Sequence, residues 1–504
     1  MKNTVRIMFF LAIIIGALYF LKDFSEINLY SFFSIFISLS AVVIALIIFF
    51  ENRHPTQTLT WLVVFGAFPL FGFLFYFLFG RSHRKEKIYR EKYFLDKQAF
   101  LKIEGEREIS NERLNRMREH QRKLVTLAQR IGNSPISFAT ETKVLTNGIE
   151  TFSHIINTLK KAQHHIHLEY YIVRDDEISN EIKEILIERA QNGVQVRFLY
   201  DAVGSWTLSK KYIKELRAGG VEIVPFGPVH LPFLNSKANF RNHRKIIVVD
   251  GSIGFVGGLN IGDEYLGRDK NFGFWRDTHL MVKGEAVRSL QLIFLQDWYY
   301  STNNSFLTDE YLSPSGMNSQ PIHGGVQMIA GGPDNEWSVI KNIFFSMITS
   351  AKESVWIASP YFIPDEDIFQ ALKVAALSGV DVRLIMPQNP DKWIVWHASR
   401  SYFPDLLEAG VKIYQYKSGF MHSKVIIVDR ELASIGTANM DMRSFHLNFE
   451  VNAFLYRTGS TEKLVNDYLG DIEQAQRLYL ETFNKRHMGN RILESFCRLL
   501  SPML

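Results

Sequence analysis

Two stretches of the chain carry the same spaced set of polar residues. In the first stretch His243, Lys245 and, after four apolar residues, Asp250 are followed by a GGLN segment that ends at Asn260. In the second stretch the corresponding residues are His422, Lys424, Asp429 and, at the end of a GTAN segment, Asn439. The offset between the copies is 179 residues from His to Asn, without a gap. The duplicated set predicts a duplicated phosphate-handling site.

These residue types suit chemistry at phosphorus. A neutral imidazole can attack the phosphorus atom, and an imidazolium can donate a proton to the leaving oxygen. Lysine and asparagine side chains can hold the non-bridging oxygens while charge develops on them. The Gly257-Gly258 pair beside the first histidine strengthens this prediction, because successive backbone N–H groups can bind anions. Two copies facing one pocket would supply one histidine for each task.

Strands must position these side chains. Alternate residues of a strand share a face, so His243 and Lys245 are expected to project together, as are His422 and Lys424. The β-branched runs at 246–249 and 425–428 are predicted to be buried strands. Asp250 and Asp429 are then expected to close these strands at turns.

The pattern resembles the double H-x-K-x4-D signature of the phospholipase D superfamily. The flanking sequence is similar to that of bacterial cardiolipin synthases, in FRNHRK (240–245), IGTANMDMRSF (435–445) and LNFE (447–450). This resemblance extends from about residue 29 to the C-terminus. The two copies differ where Gly258 stands for Thr437 and Gly262 for Asp441.

The resemblance implies two similar α/β halves with one active site at their interface. It implies a phosphohistidine intermediate, with no metal or other cofactor. The implied reaction transfers a phosphatidyl group between two phosphatidylglycerol molecules, giving cardiolipin and glycerol; the partners are these membrane lipids and not nucleic acid. We favour His243 as the nucleophile and His422 as the acid and base.

Two further acids are candidates for orienting the histidines. An imidazole that attacks through one nitrogen needs its other N–H held by an acceptor. By resemblance, Asp277 and Glu450 take that part, with Thr437 and Gly258 among the supporting positions. Asp250 and Asp429 would then mainly stabilise the loop geometry. A buried ion pair is the alternative interpretation of these carboxylates.

Weaker repetition supports the duplication. EYYIVRD at 169–175 parallels SPYFIPD at 359–365, and NGVQVR at 192–197 parallels SGVDVR at 378–383. In each half an apolar strand precedes a helical stretch and another strand, which indicates βαβ units on mostly parallel sheets. We assign residues 136–320 to the first half and 321–504 to the second.

Residues 1–80 have a different composition and predict a membrane anchor. Apolar segments cover about residues 5–21, 29–50 and 59–79. As helices they would extend roughly 26, 33 and 32 Å, against a hydrocarbon core of about 30 Å. The first segment is marginal in length, and an interfacial or signal-like helix is an alternative for it.

Residues 81–135 form a basic juxtamembrane linker in this interpretation. Residues 81–130 contain 15 Lys/Arg and 8 Asp/Glu in a chain whose net charge is +5. The positive-inside tendency therefore predicts a multi-pass protein of the bacterial plasma membrane with its catalytic region on the cytoplasmic side. For residues 100–130 alone, a solvated charged helix is an equal alternative.

Other functions stay open at this point. A hydrolase of the same fold, either a phospholipase D or a nuclease, would share both His-Lys-Asp sets. A non-catalytic membrane scaffold with vestigial motifs is disfavoured, because both sets are intact. His164, His165 and His167 could suggest a metal site, but no Asp or Cys cluster accompanies them. The aromatic group Trp393, Trp396, Tyr402 and Phe403 is either core or an acyl-chain wall. The sequence leaves the oligomeric state undetermined.

Overall fold

The computed structural model describes residues 55–67, 117–227, 239–269, 273–312 and 323–504, with isolated residues at 42, 46, 49, 92, 113 and 114. The predicted segment 5–21 lies outside these residues, as does most of 29–50 and 59–79. Helix α1 (Pro55–Ala67) belongs to one unit, and the residues from Lys92 onward belong to another. Within the described part of the chain, no helix combines the length and apolar character needed to cross a membrane.

The first half of the larger unit is built on a seven-stranded sheet with the order β1-β8-β6-β5-β2-β3-β4. Its strands are β1 (Thr140–Thr146), β2 (His165–Tyr170), β3 (Gln195–Asp201), β4 (Glu222–Phe226), β5 (Ile246–Val249), β6 (Ile253–Gly257) and β8 (Thr278–Gly284).

The second half repeats this order in an eight-stranded sheet, β9-β18-β16-β15-β10-β12-β13, with β19 added at one edge. Its strands are β9 (Gly325–Gly331), β10 (Ser354–Ala358), β12 (Asp381–Pro387), β13 (Lys412–Tyr416), β15 (Val425–Val428), β16 (Leu432–Gly436), β18 (Glu450–Tyr456) and β19 (Ala475–Arg477). The predicted duplication is therefore present as two sheets of matching strand order.

The prediction of mostly parallel sheets is wrong. Parallel pairing is confined to β2–β3 and β3–β4 in the first sheet and to β10–β12 and β12–β13 in the second. The remaining pairs of these two sheets are antiparallel, and each phosphate-motif strand turns back directly as a hairpin, β5 with β6 and β15 with β16. Outside the two sheets, β11 (Phe362–Ile363) pairs in parallel with β17 (Met440–Asp441). Asp250 and Gly251 have φ values of 51° and 62°, and Asp429 and Arg430 have 51° and 55°. Two successive left-handed residues suit the tight turns that join antiparallel strands.

The two sheets pack face to face, and helices cover their outer faces. Ile246 and Val248 of β5 contact a core shared with β15 and β18, whereas Ile247 and Val249 face the helices of the first half. Both faces of these short strands are thus buried, which explains their uninterrupted apolar sequence.

Helices cover these outer faces and the ends of the sheets. In the first half they are α3 (Asn147–Leu159), α4 (Glu177–Gln191), α5 (Lys210–Ala218), α6 (Ala286–Thr302) and α7 (Asp309–Leu312). In the second half they are α8 (Val339–Ser350), α9 (Glu366–Leu377), α10 (Trp393–Arg400), α11 (Phe403–Glu408), α12 (Met442–His446), α13 (Gly459–Glu473), α14 (Leu480–Asn484) and α15 (Met488–Arg498).

The end of the predicted linker packs onto the second half. Helix α2 (Glu119–Gly132) contacts α8 and contributes Leu124, Val125 and Ala128 to the core of that half. Upstream, Lys92 is buried between Asp297 and Asp334, with its Nζ atom 3.1 and 2.9 Å from their carboxylate oxygens. These residues belong to the folded body that carries the site.

Candidate active site

Short backbone contacts between the halves bring the two motifs together. Strands β7 (Trp275–Arg276) and β14 (Phe420–Met421) pair in parallel, and Asn242 forms an isolated bridge with Phe449. As a result, the backbone N–H of His243 donates to Phe449 O at 2.9 Å, and that of His422 donates to Arg276 O at 2.7 Å. The histidines lie in extended segments immediately before β5 and β15, and not inside those strands as expected.

The acids are exchanged between the halves. Nδ1 of His243 lies 2.9 Å from Oε2 of Glu450, and Nδ1 of His422 lies 2.6 Å from Oδ2 of Asp277. Each carboxylate accepts the Nδ1–H and leaves Nε2 as the nitrogen that can react. Both acids are fully buried, while the two histidine side chains keep 12% and 11% of their exposure, which leaves them open to a substrate.

The difference between the GGLN and GTAN segments has a structural reason. Thr437 donates its hydroxyl to Oε2 of Glu450 at 2.6 Å, and Asn448 donates to Oε1 at 3.1 Å. At the matching place, a Cβ atom on Gly258 would lie 2.1 Å from Oδ1 of Asp277. Glycine is therefore required where the shorter acid sits against the backbone, whereas the longer acid needs a threonine to hold it.

Two buried lysines complete the site. Lys245 and Lys424 each donate through Nζ to the carbonyl of the histidine two residues earlier, at 2.7 and 2.6 Å. Desolvation, together with the charge of Lys424, lowers the pKa of Lys245 to about 7, and desolvation lowers the pKa of Lys424 to about 8. Two such ammonium groups form a strong attraction for a phosphate anion.

Burial and these cations also act on the histidines. Desolvation and then Lys424 lower the pKa of His422 to about 4, against the opposing effect of Asp277. Desolvation, followed by Lys245 and Lys424, lowers the pKa of His243 well below its usual value. Each lysine thus acts on both histidines, which indicates one electrostatic environment. Both imidazoles are neutral before an anionic substrate enters.

The acids differ in charge. Desolvation alone would raise the pKa of Asp277, but the interaction with His422, including its hydrogen bond, and the charge of Lys424 together lower it. Desolvation raises the pKa of Glu450 to about 7. His422 therefore has the more strongly anionic partner, which favours it as the proton carrier.

The asparagines of the two copies have different environments. Asn260 accepts from Ile172 N–H at 3.1 Å and donates to the Tyr265 hydroxyl at 3.1 Å. In the second copy, the buried Oδ1 atom of Asn439 has no hydrogen-bond partner among the described residues. The side chain of Asn260 thus stabilises the loop after β2, whereas the Oδ1 atom of Asn439 is left to accept a hydrogen bond from a ligand.

Asp250 and Asp429 lie apart from the histidines. Each closes the far end of a four-residue strand, about 16 Å from the motif lysine. The carboxylate of Asp250 accepts from the N–H groups of residues 163–165, and that of Asp429 from the N–H groups of residues 352–354. These contacts stabilise the turns, and the structure does not bring either carboxylate to the reacting atoms.

Several residues at the site were not predicted. Tyr171 packs its ring edge against His243, with centroids 4.9 Å apart, and its face lies 5.4 Å from Lys245 Nζ. Ser423 and Thr278 form a 2.8 Å hydrogen bond across the halves. Arg244 forms a buried ion pair with Asp297. Ser423 and Arg244 occupy the middle position of H-x-K, and Tyr171 corresponds to Tyr361 in the weaker repeat. Their positions in the repeats were therefore the sequence signal that could have predicted them as site residues.

The other histidines and aromatic residues have separate environments. His165 and His167 are buried around the Gln291 side chain, with nitrogen-to-amide distances of 3.3 and 2.7 Å. Among the described residues, no group of three or more His, Cys, Asp or Glu has a metal-binding arrangement. Tyr402 and Phe403 are buried in the core, whereas Trp393 remains 55% exposed.

Comparison with known proteins identifies the family of the chain. A family model described as cardiolipin synthase, PLD-like domain, matches residues 155–298 and 344–472, together more than half of the chain. The chain belongs to this family. A second model, described as phospholipase D-nuclease N-terminal, matches residues 38–81.

Relatives in this family match along the whole chain. A cardiolipin synthase of Geobacillus sp. (strain WCH70) is 63% identical over 504 residues, covering 100% of both chains. One from Alkalihalophilus pseudofirmus is 61% identical with the same coverage. Cardiolipin synthase 2 of Bacillus anthracis is 61% identical over 93% of this chain and 90% of its own. The chain is therefore a phosphatidyltransferase of the cardiolipin synthase type.

A solved structure shares the fold at low identity. The crystal structure of a phosphatidylserine synthase from Haemophilus influenzae Rd KW20 aligns with a TM-score of 0.57 and 16% identity. The alignment covers 76% of this chain and 100% of the other. This similarity supports the arrangement of two α/β halves.

Proposed function

We propose that the chain moves a phosphatidyl group from one phosphatidylglycerol to another through a covalent intermediate on His243, yielding cardiolipin and glycerol. The proposal is supported by the crossed pairing of His243 with Glu450 and of His422 with Asp277, in which each histidine is oriented through Nδ1 by an acid of the opposite half. Nδ1 is thereby engaged in both histidines, and two buried lysines donate to the backbone carbonyls of the same histidines.

The first half-reaction breaks the bond between phosphorus and the glycerol headgroup oxygen. Nε2 of His243 attacks phosphorus and forms the new P–N bond. When the anionic phosphodiester binds, His422 takes up one proton from solvent at Nε2. His422 gives this proton to the departing glycerol oxygen, and Asp277 stabilises the imidazolium before that transfer. Lys245 and Lys424 neutralise the charge that develops on the non-bridging oxygens.

The second half-reaction reverses these roles with a new acceptor. The headgroup hydroxyl of a second phosphatidylglycerol gives its proton to Nε2 of His422 and attacks phosphorus. The P–N bond breaks, cardiolipin leaves, and His243 returns to its neutral form. His422 is again protonated, so the proton balance closes over one turnover.

The environments of the two histidines support this division of labour. A nucleophile needs a free lone pair, and desolvation keeps His243 neutral. A proton carrier needs a stabilised cationic form, and Asp277 lies 2.6 Å from His422 as an anion of lowered pKa. Glu450, with its raised pKa, gives His243 a weaker electrostatic partner.

The test is incubation of the purified full-length protein with phosphatidylglycerol as the single lipid in mixed micelles. We expect cardiolipin and free glycerol in equal amounts, and the same yield with EDTA present. Phosphatidic acid without cardiolipin would establish a hydrolase instead. Loss of activity restored by one specific divalent ion would contradict the metal-independent route.

We also propose that residues 29–79 anchor the chain in the plasma membrane, with the catalytic body on the cytoplasmic side. The basic residues that follow residue 80 support this orientation. A reporter that is active only in the cytoplasm, fused after Leu504, is expected to be active. Cleavage of the catalytic body by a protease added outside intact cells would reverse the orientation.

A further inference from the structure

The C-terminal helix α15 presents its apolar side away from the protein. Met488, Ile492, Phe496 and Leu499 are 71%, 62%, 61% and 75% exposed. Their spacing of four, four and three residues places them on one helical face. We call these four residues the α15 stripe. A contiguous exposed stripe of four large apolar side chains marks an interaction surface.

The opposite face of the helix is firmly attached. Glu494 and Cys497 are buried, and Glu494 accepts from Arg400 Nε at 3.0 Å and from Arg486 Nε at 2.8 Å. Helix α15 packs along α10 through these contacts. The α15 stripe is therefore held outward by a structured inner face.

Helix α15 and the residues after it contact elements whose charges act on His243. Lys392, directly before α10, and Arg443 of α12 are both among the charges that lower the pKa of His243. After α15 the chain ends with the Leu504 carbonyl accepting from Arg443 N–H at 3.1 Å. Helix α15 is thus connected to both of these charged elements, and α10 begins with the exposed side chains of Trp393 and Ile394.

We propose that the α15 stripe lies in the acyl and headgroup boundary of an anionic phospholipid surface and holds the second half of the protein against it. This proposal rests on the proposed function, which requires lipid substrates. The charges around the stripe complement such a surface: Lys485 and Arg491 are exposed, whereas the only acid of α15, Glu494, is buried between two arginines. Apolar side chains on one face with basic residues beside them characterise helices that lie in a membrane interface.

A probe on the stripe tests this placement directly. Cys497 is the single cysteine, so a Cys497→Ala background with Ile492→Cys allows one environment-sensitive fluorophore on the full-length protein. The control is Glu184→Cys, at an exposed position of α4 in the first half. In phosphatidylglycerol vesicles we expect a blue shift and quenching by lipids spin-labelled near the headgroup end of the chain for position 492 only.

Two results would overturn the proposal. One is equal quenching of both probes by aqueous iodide in vesicles. The other is a blue shift at position 492 in lipid-free detergent that grows with protein concentration, which would assign the stripe to a second copy of the chain.

A charge placed on the stripe tests its contribution to turnover. We expect Ile492→Glu to raise KM for phosphatidylglycerol in vesicles about tenfold and to leave turnover of dispersed short-chain phosphatidylglycerol unchanged. Gln191→Glu adds the same charge at an exposed position of α4 in the first half and should change neither. Unchanged vesicle kinetics in Ile492→Glu would contradict the proposal. If the unmodified protein made no cardiolipin, the proposed function would fail while the fluorescence result still stood.

Discussion

Each reactive histidine depends on one hydrogen bond from Nδ1, and the two supporting acids are held in different ways. Glu450 is long enough to be fixed by Thr437 and Asn448, while Asp277 is fixed by its close approach to Gly258. Position 258 is therefore a geometric requirement for the orientation of His422. A small substitution at position 258 should therefore lower kcat more than it lowers the free energy of unfolding.

Gly258→Ala tests this requirement. The new Cβ atom would meet Oδ1 of Asp277, so the acid must move away from His422. We expect kcat to fall about 100-fold or more, with the protein still folded by circular dichroism. The matched control is Gly470→Ala on α13, where nothing lies within 4 Å of the added atom. Equal activity of the two variants would refute the packing argument.

The lysine and glutamate pKa values predict a bell-shaped pH profile. Lys245 and Lys424 lose their charges as pH rises through about 7 and about 8, so substrate binding weakens on the alkaline side. Glu450 gains a proton as pH falls through about 7, which weakens its hold on His243. The value of kcat/KM should therefore peak near neutrality. A flat profile up to about pH 10 would show that these lysine charges are not needed.

At the scale of elements, β5 and β15 carry the histidine segment at one end and a backbone clamp at the other. Each clamp is an aspartate whose carboxylate accepts from three successive backbone N–H groups that lead into the neighbouring strand, which is β2 for Asp250 and β10 for Asp429. The H-x-K-x4-D spacing thus combines a reactive end and a structural end on one short strand. The aspartates of the motif should affect folding and not the chemical step.

Asp250→Ala should separate these two contributions. Loss of the clamp leaves three N–H groups without their acceptor, and we expect the free energy of unfolding to fall by about 3 kcal/mol. The folded fraction should keep kcat within a few-fold of the original protein. Urea unfolding and kinetics below the melting transition measure both quantities. A large loss of kcat in fully folded protein would place Asp250 in the reaction after all.

Prediction from sequence succeeded where the signal was local. The spacing around His243 and His422 predicted two matching segments, which the structure brings into contact, and the apolar runs at 246–249 and 425–428 identified buried strands. The pairing direction of the strands was mispredicted because we extended the βαβ pattern to the strands after β4. The Asp250-Gly251 pair after β5 is a sequence signal for a hairpin and therefore for antiparallel pairing. The exchange of Glu450 and Asp277 between halves depends on how two sheets pack. That arrangement involves residues far apart in sequence, and no spacing encodes it.

At the scale of the whole molecule, both halves are needed for each histidine. The site is assembled by β7 pairing with β14 and by the two crossed acids within one chain. Neither half can orient its own histidine. This arrangement gives a reason for keeping the duplicated halves in a single polypeptide.

Mixing two inactive variants tests assembly within one chain. We expect His243→Ala and His422→Ala proteins, combined in the same vesicles, to show no recovery of cardiolipin synthesis. Each chain would still lack one reactive histidine of its own site. A control mixture of either variant with the unmodified protein should show only the activity of the latter. Recovery in the mixed sample would mean that a site forms between copies.

Trapping tests most directly whether one histidine carries a covalent intermediate while the other transfers the proton. In His422→Ala the nucleophile remains and no base activates the acceptor, so the intermediate should decay slowly. After incubation with labelled phosphatidylglycerol, acid-free denaturation and peptide mapping, we expect label on the peptide that contains His243. The His243→Ala protein should carry none at that position. Label on His422 in the reciprocal variant alone would reverse the roles, and full activity in either single variant would contradict the mechanism.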